Sequence, residues 1–216
     1  MENLKKVSRA DIDGMQKVPR LKLVNSLSGF KSANLVGTLS GEGVENLAIF
    51  SSVIHVGSNP PLLGFMLRPV TVPRHTYDNI NAGDGWYTIN HVNRDIYEQA
   101  HQTSGNYRED ISEFDRSGLT PWYSDSCPAP YVQEARIRIG LKLVEEHLVE
   151  ANKTRLLIGS VEEVWFPESS LDQDHSLNIE EAGSIALSGV DGYHTTSRLQ
   201  RLDYVRLEPG QKRPGK

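Results

Sequence analysis

Arg136-Ile137-Arg138-Ile139-Gly140-Leu141-Lys142-Leu143 places an apolar residue at every second position. Successive side chains of a strand point to opposite faces of its sheet, so this stretch reads as a half-buried strand with one oily and one basic face. Asn152-Lys153-Thr154 then offers turn chemistry, and Leu156 to Val164 forms a second run, so a long hairpin is expected. Upstream, Ala33 to Ser40 and Asn46 to Val56 flank Gly41-Glu42-Gly43, which predicts an earlier hairpin closed by a glycine-permitted turn. Leu62 to Leu67, bracketed by Pro60-Pro61 and Pro69, is too short for a helix and reads as a buried strand. Trp86 to Val92 reads as another strand.

Helical signals are few and short. One helix is expected between Val72 and Ala82, with Thr76 able to cap it, Tyr77 and Ile80 three apart, and Gly83-Asp84-Gly85 to end it. A second follows Asn93 and carries Ile96, Tyr97 and Ala100, and Ile111 and Phe114 suggest a further turn. Many closely spaced strands with few helices between them predict a mainly β fold, an antiparallel barrel with a few peripheral helices, rather than a doubly wound parallel sheet. The expected division is an N-terminal extension over 1–20, one barrel domain over 21–207 and a C-terminal tail over 208–216.

The 216 residues carry 23 Lys and Arg against 28 Asp and Glu, a net charge of −5, so the chain as a whole repels a phosphate backbone and nucleic acid is not an expected partner. The single basic run, Gln211 to Lys216, reads as a solvated terminus. One cysteine, Cys127, excludes an internal disulfide and a Cys-rich zinc site and reads as an inert thiol. Met1-Glu2-Asn3-Leu4-Lys5-Lys6 lacks the apolar core of a signal peptide, and nowhere do the roughly 18 apolar residues of a membrane helix run together, so a cytoplasmic protein without a membrane partner is expected.

The sequence contains no G-x-x-x-x-G-K-[ST], no G-x-S-x-G and no H-E-x-x-H. Gly41-Glu42-Gly43 lacks the third glycine of a dinucleotide fingerprint, and Glu145 with His147 reads as a solvated strand edge, so no metal is expected. The residues that combine are Ser51 and Ser52, Arg68, and Arg74-His75-Thr76. A helix opening near Thr76 aims unpaired amides forward, while the Thr76 hydroxyl, His75, Arg74 and a forked Arg68 add donors and positive charge. Such a place favours a phosphate, although a plain helix cap beside surface cations gives the same pattern.

The ordered series G-x-x-N-L-A-x-x-S-S, N-P-P-L-L-G-F-x-x-R, T-x-x-N-I and G-x-Y-T-I-N resembles the flavin reductase-like family of FMN-binding split-barrel proteins. The resemblance runs from Leu23 to Tyr204 and takes in Ala129-Pro130 and Gly159. It implies a split barrel that binds FMN at a homodimer interface. By that resemblance Asn46, Leu47, Ala48, Ile49 and Phe50 lie along the flavin. Ser51 and Ser52 contact ring or ribityl oxygens, and Arg68, His75 and Thr76 take the phosphate with Arg74 and Asn79. The late Ser188-Gly189-Val190-Asp191-Gly192-Tyr193-His194 is similar to the family's C-terminal element beside the flavin, with Tyr193 stacking or shielding and His194 donating to substrate.

What the resemblance implies for activity is an FMN-dependent oxidoreductase that passes hydride from NAD(P)H to bound flavin and on to an acceptor or a partner oxygenase. Many two-component reductases of that family carry an Asp-His pair at the start of the second strand of the late hairpin, where this chain has Lys153-Thr154. An FMN-binding electron carrier or sensor without its own nicotinamide reaction is therefore the alternative reading.

Overall fold

In the computed structural model, which describes residues 3–206, two short helices lead the chain, α1 (Arg9–Gly14) and α2 (Lys17–Ser26). Ser8 and Asp11 close a capping box on α1. Position 20 falls inside α2, and neither helix buries a residue against the rest of the described chain. The strands and later helices follow in the order β1 (Lys31–Ser32), β2 (Asn34–Leu39), β3 (Glu45–Phe50), β4 (Val53–Ser58), β5 (Pro61–Leu67), α3 (His75–Ala82), β6 (Trp86–His91), α4 (Tyr97–Gln102), α5 (Glu113–Ser117), β7 (Pro121–Trp122), β8 (Tyr131–Val132), β9 (Arg138–Val149), β10 (Thr154–Trp165), β11 (Ala186–Ser188) and β12 (Gly192–His194). The tail expected over 208–216 lies outside the described residues, as does Leu207.

Seven strands form one antiparallel sheet in the order β3-β2-β6-β9-β10-β5-β4. Its two edge strands, β3 and β4, are consecutive in sequence and joined only by Ser51-Ser52. Three chain steps from Phe50 to Val53 reach at most roughly 11 Å. A flat sheet would hold these edges apart by six spacings of ~4.8 Å, roughly 29 Å. The sheet must therefore curl until its edges approach without pairing, which makes a split barrel. Offsets in the β9–β10 register at Ile158/Gly159 and Val161/Glu163 bend the long hairpin and assist that curl.

The run Asn46 to Val56 is accordingly not one strand, because the chain must leave one edge of the sheet and rejoin it at the other. The alternating stretch behaves as its period predicts: Ile137, Ile139 and Leu141 are buried, and they pack with Val36, Phe65, Tyr87, Ile89 and Leu157 inside the barrel. A second core lies on the outer face of β2 and β3, where Leu35 and Leu47 meet Ile96 and Ala100 beside α4, Phe114 of α5 and Leu187 of β11. Helix α4 begins four residues later than Asn93, whose side chain instead accepts from the Asp95 amide and donates to the Glu134 carbonyl. Gly43, at φ 83°, turns the β2–β3 hairpin as expected.

Cys127 is buried, and burial pushes its thiol up, away from the reactive thiolate. Among the described residues no helix is long and apolar enough to cross a membrane.

Candidate functional site

The split opens a cleft of about 1170 Å³. One wall is β3 with the Ser51-Ser52 link, a second is the segment from Arg68 into α3, and a third comes from α4, the chain between α4 and α5, and β12. Of the thirteen residues singled out from sequence, eleven line it: Asn46, Ala48, Ile49, Phe50, Ser51, Ser52, Arg68, Arg74, His75, Thr76 and Tyr193. Leu47 and Asn79 do not. Alternation along β3 turns the Leu47 side chain into the outer core. Asn79, on the buried side of α3, donates to the Thr38 hydroxyl at 3.1 Å.

The second residue of α3 is Thr76, and Arg74 stands at its cap position without a side-chain capping bond. The Arg74 carbonyl accepts from the Tyr77 and Asp78 amides, which leaves the preceding His75 and Thr76 amides among the first-turn donors without a helical partner. Arg74 donates to the Pro69 carbonyl at 3.3 Å, and Arg68 is exposed at the end of β5. The Thr76 hydroxyl departs from expectation. It is buried and donates to Asn46 Oδ1 at 3.1 Å, so its proton already has an acceptor. Ser52 likewise donates to the Met66 carbonyl at 3.0 Å and accepts from the Met66 amide at 3.2 Å, which leaves Ser51 as the freer hydroxyl of the link.

Asn46 is the hub of this region. Its oxygen accepts from Thr38 and Thr76, and its nitrogen donates to Glu113 at 2.8 Å. Glu113, 5% exposed at the start of α5, also accepts from the Leu47 amide at 3.0 Å. Burial pushes the Glu113 carboxyl up, against the pull of those donors. Because the Leu47 amide points away from β2, alternation directs the Ile49 N–H and C=O to the same open edge, into the cleft. The wall therefore presents a donor and an acceptor in the pattern of an unpaired strand.

Sequence reasoning missed Glu113, His101 and the residues from Thr103 to Asp110, all of which line the cleft. His101 Nδ1 lies 2.9 Å from the Tyr193 hydroxyl. Expected as a donor toward substrate, His194 instead stacks edge-on with Phe30 at 4.9 Å and bonds Ser188 at 2.7 Å. Thr154, at the position of the departure noted above, also faces the cleft. Glu145 and His147 meet at 2.8 Å and are exposed on β9.

Two cations, free first-turn amides, a hydroxyl and an open strand edge beside Ala48, Ile49 and Phe50 form a donor set suited to a ligand with an anionic end, a polar chain and a flat hydrogen-bonding ring. A family profile described as "Flavin reductase like domain" matches residues 28–182. A split-barrel protein of Shewanella frigidimarina NCIMB 400, described as a candidate flavin reductase, superposes with a TM-score of 0.89 at 45% identity, covering 93% of this chain and 100% of that one. Nitrilotriacetate monooxygenase component B from Bacillus cereus matches with a TM-score of 0.80 at 21% identity, over 94% of this chain and 100% of its own. Flavoredoxin of Desulfovibrio vulgaris (Miyazaki F) matches with a TM-score of 0.70 at 25% identity, over 93% and 98%.

Proposed function

This chain belongs to the flavin reductase-like family, and on that premise we propose that it is an FMN-binding oxidoreductase taking reducing equivalents from NADH or NADPH to a further acceptor. The observation that carries the reading is the cleft itself, where the opening turn of α3 and two arginines stand at one wall and the unpaired edge of β3 at another. Arg68, Arg74 and the His75 and Thr76 amides would hold the phosphate, and Ser51 would meet the ribityl chain. The Ile49 backbone would pair with the polar edge of the ring, while Ala48 and Phe50 lie along it. Asn46 and Thr76 act behind this layer, fixing α3 against β3. When bound, the flavin supplies the redox chemistry, so the chain need not provide many acid-base groups.

Anaerobic mixing of FMN-loaded protein with NADH or NADPH tests the reaction. Bleaching of the flavin absorbance by either supports it, and absorbance that persists with both counts against it. The second reading, an electron carrier or sensor without a nicotinamide reaction, is favoured by Thr154, which faces the cleft at the position where many two-component reductases of the family carry histidine. A flavin that photoreduces yet ignores both nicotinamides would select it.

A homodimer is part of the proposal, and a partner oxygenase is one acceptor it allows. Helix α2 has ten residues and none is buried, whereas isolated helices below ~12–15 residues are marginal in water. Val18, Leu27 and Phe30 are more than half exposed, and residues 195–206 are exposed throughout. A second copy covering these surfaces supplies the missing packing.

A further inference from the structure

The hydroxyl of Tyr193 and the ring of His101 are not used by the binding roles given above. Tyr193 is held from several sides: β12 pairs it with Leu187, its ring lies 5.6 Å from that of Tyr97, and it meets the His101 ring edge-on at 5.7 Å and 84°. It also packs against the outer core alongside Ile49, which lines the same cleft. A phenol hydroxyl has one proton and two lone pairs, so the 2.9 Å bond to His101 leaves it able to make a second. When Nδ1 carries the proton and donates, the hydroxyl proton is free to point into the cleft.

The surroundings narrow the ligand. Burial, and then Asp191, push the Tyr193 phenol up to about 12, so it remains a donor through the neutral range. Arg108, which lines this wall, is paired with Asp110, and Asp191 adds negative charge near Tyr193, so this wall favours an uncharged ligand over an anion. His101 and Tyr193 line the same cleft as the opening turn of α3, so a molecule held by the pair shares that cleft.

We propose that the His101–Tyr193 pair is a second subsite of the cleft, for an uncharged organic molecule bearing a hydrogen-bond-accepting oxygen such as a carbonyl, which Tyr193 anchors by a hydrogen bond from its hydroxyl. That this molecule is the electron acceptor rests on the flavin reading, whereas its recognition rests on the pair alone.

Calorimetric titration of acetophenone and of α-methylstyrene, which has the same shape without the oxygen, tests the subsite in protein with and without added FMN. Wild type binds acetophenone more tightly by roughly three- to tenfold, the yield of one neutral hydrogen bond. Tyr193→Phe keeps the ring and loses the preference. Equal binding of the two probes by wild type, or a preference that survives Tyr193→Phe, overturns the subsite. So does a Tyr193→Phe protein that loses FMN affinity, because the hydroxyl then serves the nucleotide. An FMN-free protein that still distinguishes the probes through Tyr193, yet takes up no FMN when it is added, keeps the subsite and sinks the flavin reading.

Discussion

Asn46 and Glu113, 67 residues apart in sequence, meet through a 2.8 Å hydrogen bond from carboxamide to carboxyl with both side chains buried. This contact ties the strand that edges the cleft to the helix that backs its far wall, and through Asn46 Oδ1 it reaches the first turn of α3. Three walls of the site are thus set by one polar network inside the protein.

Glu113→Ala leaves the Asn46 nitrogen and the Leu47 amide buried without an acceptor. The expected cost is about 2–4 kcal/mol of stability, two orphaned donors at ~1–3 kcal/mol each with partial relaxation. Glu113→Gln keeps an acceptor and should cost less than about 1.5 kcal/mol. Urea denaturation of the three proteins measures both, and an alanine variant as stable as wild type would remove the network from the account.

The same residue gives a pH signature. Its carboxyl is raised in the folded protein, chiefly by burial, so its contribution is fully present below the ordinary carboxylate range and is lost as pH rises through the folded value. Relative to Glu113→Gln, wild type should lose stability over that rise. Parallel pH profiles for the two proteins would contradict the sign.

Arg68 and Thr76, paired in the sequence reading, should separate experimentally. Arg68→Ala is expected to weaken FMN binding by about 1–2 kcal/mol, less at high salt because the side chain is exposed and screened. Thr76→Ala removes a bond to Asn46 instead, and should cost about 1 kcal/mol of stability with a smaller effect on FMN. Flavin fluorescence quenching against salt, with melting curves alongside, distinguishes them.

Gly159 has no room for a side chain, because a Cβ there would collide with the Tyr87 hydroxyl, itself buried without a hydrogen-bond partner among the described residues. Gly159→Ala should destabilise by about 1–3 kcal/mol through overpacking, and Tyr87→Phe in the same chain should recover part of it. Additive effects in a double-mutant cycle would show the two do not touch.

Light scattering across a concentration series should return twice the chain mass. A monomer mass throughout would leave α2 and residues 195–206 without the cover proposed for them.

The parts legible from sequence were those written in local periodicity. Ile137, Ile139 and Leu141 revealed a strand because a period of two is a property of neighbours, and Gly43 revealed a turn for the same reason. The cationic wall was legible because Arg74, His75 and Thr76 sit within one helical turn. Leu47 and Asn79 faced elsewhere although their neighbours line the cleft, and for Leu47 the alternation that decides it was already visible. The break at Ser51-Ser52 was not, since it follows from the closure of seven strands rather than from the two serines. Glu113 and His101 could not be placed, because a buried acid and a helix-borne histidine reach the cleft only through contacts spanning 67 and 92 positions.

The most direct measurement of the central claim is a crystal structure of the protein grown with FMN. The account predicts the phosphate at the opening turn of α3 between Arg68 and Arg74, with the ring along Ala48 to Phe50. A phosphate bound elsewhere, or a cleft filled by another part of the chain, would contradict it.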